Sequence, residues 1–126
     1  MMPRVLLVDD DPLLRDALRD LLDGQGFDVV GEAEDGAEAT ALTDELLPDV
    51  VLMDLRMPDL GGIDATRTIK QQHPSVRVII LSAYDDAGLR LHASQAGADG
   101  YLIKGTAPSL IYAALSGSED NPTTPL

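Results

Sequence analysis

Three stretches of this chain are apolar without interruption: Val5-Leu6-Leu7-Val8, Val50-Val51-Leu52-Met53 and Val78-Ile79-Ile80-Leu81. A strand with one wet face alternates polar and apolar residues, whereas a strand covered on both faces does not. The three runs therefore predict central strands of a sheet buried on both sides. Two more mixed runs, near 27–31 and 100–103, suit its edges. Strands near 4–8, 27–31, 49–53, 76–81 and 100–103 alternate with helical segments near 12–24, 36–47, 62–72, 86–96 and 107–115. A βα unit repeated five times implies a parallel sheet with helices on both faces. The order 2-1-3-4-5 puts strands one, three and four inside, with the topological switch point between strands one and three. The expected fold class is α/β, a single flavodoxin-like three-layer (βα)5 domain over residues 1–115. Residues 116–126, rich in Ser, Gly, Pro and acids, have linker composition and are expected to form a flexible tail.

Helix boundaries are marked by the residues that cap them. Asp11-Pro12 reads as an N-cap followed by proline at the first helical position, and Leu14, Ala17, Leu18 and Leu21 give that helix its apolar stripe. Asp35-Gly36 opens the second helix and Leu47-Pro48 marks its end. Gly61-Gly62 opens the third and His73-Pro74 closes it, while Gly97 suits the C-cap of the fourth.

Each apolar run ends in a polar group. Strand one runs into Asp9-Asp10, strand three into Asp54, strand four into Ser82 and strand five into Lys104. In a parallel sheet these ends share one edge, where α/β proteins bind ligands. Two like charges about 4 Å apart repel by roughly 4 kcal/mol at an effective dielectric near 20, so Asp9, Asp10 and Asp54 must protonate or hold a cation. A few oxygen ligands open to solvent suit Mg²⁺, which keeps its waters and is completed by phosphate. A phosphate substrate also gives work to Lys104 as a point charge and to Ser82 as a donor. The carboxylate on the central strand, Asp54, is the candidate phosphoryl carrier. Asp11 reads as a helix cap, not a ligand.

Composition excludes several other classes. With no cysteine there are no disulfides or thiolate metal sites, and a reducing compartment is implied. The apolar runs are too short to span a bilayer, and the first residues enter a strand with no signal-peptide pattern, so a cytoplasmic protein is expected. A net charge of −13 argues against direct contact with nucleic acid, which depends on neutralising phosphates. His73 and His92 have no ligand partner at metal spacing.

Taken together, VLLVDDDP, VVLMDLRMPDLGGID, VIILSAY and AGADGYLIKG resemble the receiver domain of two-component response regulators, from about Arg4 to about Leu115. The ending AGADGYLIKGT is most similar to the NarL/FixJ subfamily. The resemblance implies that Asp54 accepts a phosphoryl group from a sensor histidine kinase. It implies Asp10 as a direct Mg²⁺ ligand, Asp9 acting largely through water, and a share of the shell from Asp54 and the backbone carbonyl of Arg56. Ser82 would be the switch hydroxyl, Lys104 the motif's lysine and Tyr101 the aromatic whose rotamer follows the switch. Arg56 and Tyr84 would flank the phosphoryl group and influence its hydrolysis; from their bulk, these two side chains are expected to restrict the attacking water. Homodimerisation and output through a separate helix-turn-helix DNA-binding domain are further implications.

One departure is that Gly105 stands where the family often has a proline in a cis peptide. Two other readings use the same scaffold. One is a constitutive interaction module that is not phosphorylated. The other is a nucleotide or flavin domain, disfavoured because the first loop carries Asp9-Asp10-Asp11 where phosphate binding needs glycines and free amides.

Overall fold

Successive residues of a strand point to opposite faces, and here both faces are apolar. In the computed structural model, which describes residues 2–57 and 61–117, the strands are β1 (Arg4–Val8), β2 (Asp28–Ala33), β3 (Val50–Met53), β4 (Arg77–Ser82) and β5 (Gly100–Ile103). The helices between and after them are α1 (Pro12–Asp23), α2 (Gly36–Leu46), α3 (Gly62–Gln72), α4 (Ala87–Gln95) and α5 (Pro108–Ser116). The sheet is parallel throughout, in the expected order β2-β1-β3-β4-β5.

Residue parity divides the core in two. Leu6, Val8, Val51, Met53, Val78, Ile80 and Tyr101 pack with Ala39 of α2, Ala65 and Ile69 of α3, and Ala93 of α4. Val5, Leu7, Val50, Leu52, Ile79, Leu81 and Leu102 pack with Leu18 and Leu22 of α1 and Ile111, Ala114 and Leu115 of α5. Three layers result, with helices two, three and four on one face and one and five on the other. Burying a leucine such as Leu22 contributes about 1.5–3 kcal/mol.

Caps set the helix starts. Asp11 accepts from the Leu13 N–H, Asp35 from that of Glu38 and Asp86 from that of Leu89. Several boundaries differ from expectation. Ala17 is exposed, because the buried stripe of α1 runs through Leu18 and Leu22 with Leu14 and Leu21 half-buried. The C-cap of α4 is Ala96, with Gly97 following it. β2 does not stop at Gly31: Glu32 and Ala33 pair with Leu7 and Val8, since Glu32 finds cationic partners on α1. Phe27 precedes that strand, and its ring stacks on Tyr112 of α5 at 6.0 Å. Ser82 is the last residue of β4, paired with Ile103, not the first beyond it.

No helix among the described residues is long and apolar enough to cross a membrane. Of the expected tail over 116–126, residues 118–126 lie outside the described residues, as do Pro58, Asp59 and Leu60 after the third strand.

Candidate functional site

The two inner acidic strand ends are held by main-chain pairing before their side chains do anything. The Asp9 N–H donates to the Ala33 carbonyl at 3.0 Å and the Asp54 N–H to the Val8 carbonyl at 2.9 Å. Both side chains are buried, Asp54 at 6 % exposure and Asp9 at 4 %, while Asp10 is exposed. The three aspartates each offer a carboxylate oxygen within 4.8 Å of the others. These are hard oxygen donors, open to solvent on the Asp10 side, and they fit a small divalent cation that keeps part of its hydration shell.

Lys104 reaches back over the cluster from the end of β5. Its Nζ lies 2.9 Å from Asp9 Oδ2 and 3.5 Å from Asp54 Oδ1. The other Asp9 oxygen, Oδ1, accepts from the Asp11 N–H at 2.9 Å. Each carboxylate oxygen of Asp9 thus has one partner within the protein, and its side chain anchors Lys104. Burial works against the charge on Lys104, but the bond to Asp9 and the charges of Asp54 and Asp9 outweigh it and hold the ammonium above the ordinary lysine range. Asp54 receives less of that cation. Burial, with Asp9's charge added, pushes its carboxyl above the usual value despite Lys104 and a hydrogen bond from the Arg56 main chain.

Ser82 at the end of β4 and Tyr101 of β5 form a second group with Tyr84 and Arg56, which lie in the loops after β4 and β3. Ser82 is buried, and its Oγ accepts from the Tyr84 N–H at 3.1 Å, while its carbonyl accepts from the Lys104 N–H at 2.7 Å. Tyr101, at 2 % exposure, lies in the inward position, with its hydroxyl donating to the Tyr84 carbonyl at 2.7 Å. Arg56 is exposed, and its guanidinium sits 4.5 Å from the centre of the Tyr84 ring. Gly105 has φ of 90°, which proline's ring cannot adopt, and no peptide among the described residues is cis.

Two arginines escaped the sequence reading. Arg90 of α4 places its guanidinium 4.6 Å from the Tyr101 ring centre and pairs with Asp85 at 3.1 Å. Arg15 of α1 donates to the main-chain carbonyl of Asp9. The signal for Arg15 was faint: a cation one turn into a helix that starts at the acidic loop, and an otherwise unexplained Glu32 in the neighbouring strand.

A family model described as the response regulator receiver domain matches residues 5–116. The chain is 39 % identical over 113 residues to chemotaxis protein CheY of Thermotoga maritima, covering 90 % of this chain and 94 % of that protein. It is 44 % identical over 115 residues to response regulator UvrY of Escherichia coli, covering 90 % of this chain and 53 % of UvrY. Against such longer regulators the chain spans about half the length of the curated relatives it matches. Among solved structures, a LuxR-family two-component response regulator from Aurantimonas sp. SI85-9A1 superposes with a TM-score of 0.86 at 39 % identity. That match covers 97 % of this chain and 91 % of the other.

Proposed function

The chain belongs to the receiver domains of two-component response regulators, and from that membership we propose that Asp54 takes a phosphoryl group from the phosphohistidine of a sensor histidine kinase. One observation carries the reading: a buried carboxylate ends the central strand with an ammonium 3.5 Å away and two further acids within ligand reach. In the transfer, the donor's P–N bond breaks as the bond from an Asp54 oxygen to phosphorus forms, and the electron pair stays on the imidazole nitrogen. Such transfer is mostly positioning and neutralisation of charge.

Lys104 supplies part of that neutralisation by moving its ammonium from Asp9 toward a phosphoryl oxygen. Asp10, Asp54 and the Arg56 carbonyl would hold Mg²⁺ directly, with Asp9 contributing through water. When bound, the ion neutralises phosphoryl oxygens and favours the ionised form of Asp54. Ser82 turns its hydroxyl from the Tyr84 N–H toward the new oxygens, which carry about −1.5 to −2 charge. The response spreads through Tyr84 to Tyr101 and to the surface of α4, β5 and α5, where partner or homodimer contacts change. The output is transcriptional, through a helix-turn-helix module beyond the segment described, and the setting is cytoplasmic. Arg56 stacked on Tyr84 limits approach of water to the phosphoryl group and prolongs the modified state.

One experiment tests this. The native chain, Asp54→Asn and an Arg56→Ala, Tyr84→Ala double variant are treated with Mg²⁺ and an acyl phosphate, and intact mass is followed over time. Native protein should gain about 80 Da, Asp54→Asn should not, and the double variant should lose the added mass faster. No gain in the native chain would favour the constitutive interaction module. A gain undiminished in Asp54→Asn would place the chemistry on another residue, and decay no faster in the double variant would remove the shielding role.

A further inference from the structure

The first turn of α1 brings a cation back to the acidic loop. Arg15 is largely buried, its side chain 16 % exposed. Its Nη1–H donates to the carbonyl of Asp9 at 2.5 Å, and its Nε–H donates to Glu32 Oε1 at 3.0 Å. The second oxygen of Glu32 accepts from Arg19 Nε at 2.9 Å. A single carboxylate on the edge strand therefore fixes two guanidiniums from one helix. Burial works to raise the Glu32 pKa, but the bonds and charges of Arg19 and Arg15 outweigh it and hold the carboxyl below its ordinary value. Glu32 stays ionised at neutral pH, and Arg15 keeps its orientation.

The oxygen that Arg15 grips belongs to the planar peptide joining Asp9 to Asp10. Fixing that plane fixes the direction in which Asp10 leaves the main chain. Asp9 needs no such help, since its N–H and both carboxylate oxygens already have partners. Asp10 does, because no side-chain hydrogen bond among the described residues restrains its exposed carboxylate.

We propose that Arg15 is a positioning residue for the divalent-cation site: it clamps the Asp9–Asp10 peptide so that the Asp10 carboxylate stays within ligand reach of Asp54, with Glu32 as its counter-charge. The proposal rests on the reading of the three acids as a Mg²⁺ site. It makes a prediction of opposite sign to electrostatics alone. A cation beside a cation site repels the ligand, so deleting its charge should tighten binding. Deleting a clamp should weaken it, as loss of groups that orient metal ligands does.

The test is calorimetric titration of Mg²⁺ into the unphosphorylated native chain and the variants Arg15→Gln, Arg15→Lys and Arg19→Gln, well below their unfolding temperatures. Arg15→Gln should weaken binding about tenfold. Arg15→Lys keeps the charge but lacks the two-pronged donor geometry, and it should weaken binding too. Arg19→Gln touches Glu32 but not the Asp9 carbonyl, and it should stay within about twofold of native. Native or tighter affinity in either Arg15 variant overturns the proposal, as does an equal loss in Arg19→Gln. If circular dichroism shows Arg15→Gln unfolded, Arg15→Lys against Arg19→Gln decides by the same criteria. A native chain that fails to bind Mg²⁺ removes the cation reading and the role of Arg15 together; native binding with an unaffected Arg15 variant removes only the latter.

Discussion

Asp54 keeps a carboxylate where its surroundings oppose the charge. Its folded pKa lies above the ordinary value through burial and the neighbouring Asp9. Folding therefore favours the protonated form. The stability this contributes is complete below the unfolded value, about 3.9, and is lost as pH rises through the raised folded one. At neutral pH, with divalent cations chelated, Asp54→Asn should accordingly melt at a higher temperature than the native chain, and the gap should close as pH approaches 4. Thermal melts at several pH values check this; a gap that is absent at pH 7, or that widens in acid, contradicts it. At this scale the sequence displayed Asp9, Asp10, Asp54, Ser82 and Lys104 clearly, because each interrupts or ends an apolar run. Arg90 was not legible and Arg15 only faintly so, since a guanidinium on a helix announces neither the carbonyl nor the ring it will meet after packing. Tyr101 was singled out, but its bond to the Tyr84 carbonyl depends on a loop path that no pattern encodes.

At the start of α3, Gly62 has little room for a side chain. The Gly62 N–H donates to the Leu55 carbonyl at 3.0 Å, and a Cβ on Gly62 would lie 2.0 Å from the Asp54 carbonyl oxygen and 2.8 Å from the Leu55 Cα. Both obstacles are main chain and cannot rotate aside. Gly62→Ala should therefore lower stability by at least about 1–3 kcal/mol, the usual range for overpacking, and slow phosphorylation by displacing the strand end that carries Asp54. Urea unfolding together with the acyl-phosphate time course checks both effects; native values in both would show that the helix can shift freely. The sequence marked Gly61-Gly62 as the start of this helix, and the caps Asp11 and Asp35 as the starts of two others, because those residues act locally. It misjudged the end of β2, where Glu32 breaks the apolar pattern yet stays in the ladder, held by Arg15 and Arg19 across a long chain separation.

For the whole molecule, strand order and layering were readable because three unbroken apolar runs leave few ways to cover both faces of a sheet. A net charge of −13 on 126 residues then sets the solution behaviour. Self-repulsion opposes the compact state and is screened within about 10 Å at 0.1 M salt. Raising monovalent salt from about 10 mM to 150 mM at pH 7 should stabilise the chain by about 1 kcal/mol, roughly 3–6 °C in Tm. Scanning calorimetry reads this, and an unchanged or falling Tm would show that local ion pairs such as Arg15–Glu32 outweigh the global field. The N–H of Tyr84 is spoken for by Ser82 and its carbonyl by Tyr101. A tug on the hydroxyl therefore orphans one hand of Tyr84, and any swivel that finds a fresh acceptor also drags on the other. Under the proposed phosphorylation of Asp54, news of the modification and the setting of the neighbouring ring would be knotted through one residue's own backbone, so neither could be rewritten alone.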